Sequence, residues 1–127
     1  MSYIVEGISH IDSGELKDIL ADPTNKTIVI DVREHEEYDA GHIETVPLIP
    51  MGEIANYIGE FDRSREYVFI CRSGRRSLEV SKFFHNNGFD RVHNFAGGML
   101  GWDGEVTFGP ENVVTEFNAE QLERKRD

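Results

Sequence analysis

The stretch Tyr67-Val68-Phe69-Ile70-Cys71-Arg72-Ser73-Gly74-Arg75-Arg76-Ser77 changes character just after Cys71. Its first half is apolar and of strand type. After Arg72, Ser73 and Gly74 the apolar and small residues Ser77, Val80, Ser81 and Phe84 fall at helical spacing, and Gly88 suits the position just past a helix end. A strand that turns directly into a helix is a βα junction, and open α/β sheets put their ligands beyond the carboxyl ends of such strands.

Upstream, Ile11, Asp12, Glu15 and Leu16 match a hydrophobic staple and a capping box. They predict a helix over Ser13 to Ala21, with Leu16, Ile19 and Leu20 as its apolar stripe and Pro23 beyond it. Thr27 to Val32 reads as a buried strand. Glu34 to Asp39 reads as a short exposed helix ended by Gly41. Val46 to Ile49 is a weaker strand, because Pro47 cannot donate a ladder hydrogen bond. Met51 to Glu60 is expected to be a helix with Ile54 and Ile58 inward, and Val92 to Phe95 a last strand before Gly97 and Gly98. This alternation predicts an α/β fold: a mostly parallel central sheet with helices on both faces. Residues 1–102 form that domain in this reading, and 103–127 an extension. In the extension Phe117, Asn118, Gln121 and Leu122 suggest a short helix whose last turn carries Arg124, Lys125 and Arg126.

The chain has 127 residues, enough for one self-sufficient core. A net charge of −11 disfavours nucleic acid and anionic membranes as partners, since a phosphate backbone is bound by Lys and Arg. The longest apolar run is Tyr67 to Cys71, too short to span a bilayer, and no basic start precedes an apolar stretch. With a single cysteine, these features suit a reducing, cytoplasmic setting.

A lone cysteine at the end of an apolar strand is usually a small core residue. Three arginines within five positions of it argue otherwise: their mutual repulsion must be offset, and an anionic substrate would do so. Backbone amides converging at a helix start stabilise an anion, and they lower a thiol from its usual value of about 8.5 towards neutrality. Cys71 is therefore the expected nucleophile.

The sequence resembles the rhodanese family from about Ile8 to Trp102. The resemblance rests on three motifs: Asp31-Val32-Arg33-Glu34 with Glu37-Tyr38 and Gly41-His42-Ile43; Cys71 to Ser77; and Gly97-Gly98 with Trp102. It implies a rhodanese-like domain that moves sulfane sulfur from a small anionic donor such as thiosulfate, through a Cys71 persulfide, to an external thiol, a protein acceptor or cyanide. It implies no metal and no organic cofactor. Arg72, Ser73, Gly74, Arg75, Arg76 and Ser77 would form the substrate-binding cradle, its amides holding the persulfide and its arginines steering the donor. Where the family has a Pro-Gly-Ala turn, this chain has Glu44-Thr45-Val46-Pro47.

Two other readings stand beside this one. A rhodanese-like module could carry sulfur or dock a partner without turnover, although inactive members lack the cysteine. A phosphatase or arsenate reductase of related fold would need C-x5-R, but that arginine position holds Ser77. Elsewhere His10, His35, His42, His85 and His93 lack metal-ligand spacing. Asp31 and Arg33 are expected to form an ion pair near the site, and His42 to make a structural hydrogen bond. Glu34, Glu36, Glu37 and Asp39 read as a solvated face, and Phe83 and Phe84 as core.

Overall fold

The computed structural model describes residues 2–124. Five strands form one sheet: β1 (Tyr3–Val5), β2 (Ile8–Ile11), β3 (Ile28–Asp31), β4 (Tyr67–Ile70) and β5 (Val92–Phe95), in spatial order β1-β2-β5-β4-β3. β1 pairs antiparallel with β2, and every other pairing is parallel. The helices are α1 (Ser13–Ala21), α2 (His35–Asp39), α3 (Met51–Ile54) and α4 (Arg75–Asn86).

Apolar runs in β3 and β4 are buried on both faces, as a parallel sheet covered by helices requires. Tyr67, Phe69 and Cys71 face α4, with Val80, Phe84 and Phe89. Val68 and Ile70 face α1, with Leu16 and Phe95. α1 begins as its sequence predicts. The Asp12 carboxylate accepts the Glu15 N–H at 2.8 Å while Glu15 accepts the Asp12 N–H at 3.2 Å. α4 closes on Gly88 at φ +90°, where the Gly88 N–H donates to the His85 carbonyl and the Phe89 N–H to that of Phe84, a Schellman motif.

The structure corrects several expectations. The strands β1 and β2 were not anticipated; their signal is the two-residue turn Glu6-Gly7, both at positive φ, between apolar flanks. Val46 to Ile49 is not a strand. Leu48 alone bridges Asp31 on one side and Val113 on the other, because Pro47 offers a carbonyl but no N–H. Residues 51–60 divide into α3 and a 3-10 turn, Ala55–Tyr57, with Ile54 buried and Ile58 half-buried. Phe83 is 37% exposed, since it lies one step round the helix from the stripe of Ser77, Val80, Ser81 and Phe84.

The expected C-terminal helix is a single 3-10 turn, Ala119–Leu122, capped by the Asn118 side chain on the Glu120 N–H. Gln121 donates instead to Asn112 and to the Val113 carbonyl, so no capping box completes to extend the turn. Lys125 and Arg126 lie outside the described residues. The tail is knit to the rest of the fold: Thr107 bridges His42 in the loop after α2, and Val114 and Leu122 are buried in the α4-side core.

Candidate active site

Cys71 follows β4 at the carboxyl end of the sheet, and α4 starts four residues later. Its sulfur is buried. The Gly74 N–H donates to Sγ at 3.0 Å, and the Ser77 hydroxyl lies 3.3 Å from it. Burial pushes the thiol up. The Ser77 hydroxyl and the amides of Ser77, Ser73 and Gly74 pull it down further, leaving Cys71 below the ordinary thiol value.

Two glycines let the backbone curl this tightly. Gly74 sits at φ +90°, and a Cβ there would lie 2.1 Å from the Ala96 carbonyl oxygen. Gly98 sits at φ +58°, and a Cβ there would lie 2.4 Å from the Arg72 carbonyl oxygen. The turn after β5 is thus pressed onto the cysteine loop. It is also bonded to it, by Met99 N–H to the Cys71 carbonyl (2.9 Å) and Leu100 N–H to the Arg72 carbonyl (3.0 Å). Trp102 packs edge-on against Phe95 behind this turn.

The three arginines divide. Arg72 and Arg75 are exposed beside Ser73, and neither makes an ion pair among the described residues. Arg76 instead grips both carboxylate oxygens of Glu37, at 2.7 and 2.8 Å. That guanidinium holds the Glu37 carboxyl at about 2, against burial, which acts to raise it. Glu37 was expected in a solvated face; it ties α2 to the start of α4. Ser77 is fully buried, so its hydroxyl reaches the sulfur and not solvent.

Asp31 and Arg33 form the expected pair, both buried, with Nη2 to Oδ2 at 2.8 Å. Arg33 also donates to the Glu37 and Gly41 carbonyls, so one guanidinium ties the middle of α2 to the turn that follows it. His42 is structural. It bridges the Tyr38 carbonyl and the Glu111 carboxylate, each at 2.9 Å, and stacks on Tyr38. Thr45 occupies the variant turn at φ +71°, and Glu111 accepts its N–H at 3.0 Å.

One residue went unnoticed in the sequence. Asn94 is buried in the middle of β5; its Nδ2 donates to the Gly74 carbonyl at 3.0 Å, and its Oδ1 lies 2.5 Å from the Ser77 hydroxyl. The available signal was an amide side chain at an inward-facing strand position. Among the described residues no group of three or more His, Cys, Asp and Glu is placed to hold a metal ion. Nor is any helix there long and apolar enough to cross a membrane.

Fold and site together define an α/β protein with a cysteine held in an anion-stabilising βα loop. Residues 12–105 match the rhodanese-like domain, and the chain belongs to the rhodanese-like sulfurtransferase family. It is 42% identical over 99 residues to "Putative sulfurtransferase YtwF" of Bacillus subtilis, a match covering 78% of this chain and 94% of that protein. It is 34% identical to a sulfurtransferase of Allochromatium vinosum, covering 75% and 88%. A rhodanese-like domain protein from Staphylococcus aureus superposes with a TM-score of 0.70 at 31% identity, covering 79% of this chain and 97% of that one. A transferase of this family has a sulfur donor and a sulfur acceptor as partners.

Proposed function

We propose that this protein takes sulfane sulfur from a small anionic donor, thiosulfate being the simplest, and carries it as a persulfide on Cys71 to a thiol or to cyanide. The observation that carries this reading is the sulfur itself, held by the Gly74 amide and faced by the Ser77 hydroxyl at the start of α4. The thiolate attacks the outer sulfur of thiosulfate. A sulfur–sulfur bond forms to Sγ, the donor's own sulfur–sulfur bond breaks, and sulfite leaves with the electron pair. The negative charge then rests on the outer sulfur of the persulfide, which an acceptor nucleophile removes, regenerating the thiolate.

Within the cradle, Arg72, Ser73 and Arg75 stand exposed to meet the donor, and Gly74 supplies its amide to the sulfur. Arg76 contributes by securing α2 and Ser77 by facing Sγ from within. Because the thiol is covered, donor capture requires the exposed rim to part over the sulfur.

Intact-protein mass after thiosulfate, then after excess cyanide, tests this directly. The expected result is a gain of one sulfur that cyanide removes as thiocyanate, and no gain in Cys71→Ser. An adduct that excess cyanide leaves in place would not be sulfane sulfur and would speak against the persulfide. Absence of any adduct would overturn the reading.

A further inference from the structure

The hydroxyl of Ser77 has one proton and two claimants. Asn94 Oδ1 lies 2.5 Å away and Cys71 Sγ 3.3 Å away. The Asn94 amide cannot turn over to offer a donor instead, because its Nδ2 already donates to the Gly74 carbonyl, and a flip would set two oxygens face to face. We infer that Asn94 is a positioning residue whose fixed acceptor makes the Ser77 proton swing between Asn94 and Cys71 according to the charge on the sulfur.

Each state of the sulfur calls for a different arrangement. In the thiol, S–H donates to Ser77 Oγ and the Ser77 proton goes to Asn94 Oδ1, so every group in the row is satisfied. When the thiol ionises its proton leaves to solvent, the Ser77 proton turns to Sγ, and Asn94 Oδ1 is left buried without a donor. When Cys71 takes on sulfur, the charge moves to the outer atom. Sγ becomes neutral, and the Ser77 proton returns to Asn94. Asn94 therefore disfavours the bare thiolate and favours the loaded persulfide, drawing the site towards sulfur uptake. Arg76 is the charged side chain that senses Cys71 from α4, and its own charge is committed to Glu37. The inference rests on the persulfide reading for its loaded state, and only on geometry for the other two.

The test reads alkylation rate against pH, which needs no sulfur donor, and separately the persulfide fraction by intact mass at set thiosulfate-to-sulfite ratios. Asn94→Ala removes the acceptor that competes for the Ser77 proton, so alkylation at a fixed pH below the inflection should rise by about tenfold, the worth of the Ser77–Asn94 hydrogen bond that the parent gives up on ionising. Half-loading should need a correspondingly higher thiosulfate-to-sulfite ratio. Ser77→Ala should move both readouts the opposite way, and Asn94→Ala placed on top of it should add nothing. Asn94→Leu, close in volume, repeats the measurement if the alanine protein melts early. A residue that merely holds the loop through Gly74 would slow alkylation when removed and would act equally with or without Ser77; either result overturns the inference. If the unaltered protein never loads sulfur, the persulfide reading fails while the alkylation series still decides the role of Asn94.

Discussion

Replacing Gly74 by alanine tests whether the cysteine loop works by its backbone. The new Cβ would meet the Ala96 carbonyl oxygen at 2.1 Å, about 1.3 Å short of an ordinary 3.4 Å contact. Backbone must yield, and an L-residue at this positive φ adds about 1–2 kcal/mol of strain. A shift of about 1 Å carries the Gly74 N–H from 3.0 Å to the limit of bonding to Sγ. A hydrogen bond to a charged atom contributes about 1.5–3 kcal/mol, so thiolate reactivity at a fixed pH below the inflection should fall about 10- to 100-fold. Iodoacetamide alkylation across pH, with thermal melting alongside, separates lost reactivity from lost fold. Gly52→Ala is the control, because nothing lies within 4 Å of the place its new methyl group would take and its φ is ordinary. If Gly74→Ala left the alkylation profile unchanged, the backbone cradle would not be what activates Cys71.

Other substitutions probe the frame around the loop. Asp31→Ala strands the buried Arg33 guanidinium and should cost about 3–5 kcal/mol by denaturant unfolding. Glu37→Gln removes a carboxyl whose pKa falls from 4.5 unfolded to about 2 folded. Such a depressed group stabilises above the unfolded value and loses that contribution as pH drops through the folded one. The variant should therefore be less stable than the parent at neutral pH, by about 1–3 kcal/mol after allowing for solvent screening, with the gap closing between about pH 4.5 and 2. Thr45→Gly relieves a β-branched residue at φ +71° and should raise the melting temperature, corresponding to about 1 kcal/mol.

How much could be read in advance depended on how far apart the interacting residues lie in the chain. The α1 cap, the apolar β3 and β4 runs, the α4 stripe and its Gly88 stop all depend on neighbours a few residues away, and periodicity and capping chemistry report them. The β1–β2 hairpin is equally local, and Glu6-Gly7 was its overlooked cue. Val46 to Ile49 misled because its apolar pattern reports burial, whereas strand pairing needs the N–H that Pro47 lacks.

By itself, the sequence determined the candidate nucleophile's place and the order of elements around it: a cysteine ending an apolar strand, followed by arginines, a glycine and a helix. It also marked Asp31 with Arg33 as a pair, since charges two residues apart at a strand end reach each other whatever the fold. Only the tertiary structure decided which groups surround the sulfur. Asn94 meets Ser77 across 17 positions, Glu37 pairs with Arg76 across 39, and Glu111 supports Thr45 across 66. Gly98 and Gly74 matter because two loops distant in sequence pack within a Cβ of each other. Such contacts are set by how the sheet and helices pack in three dimensions, and no local period or propensity encodes them.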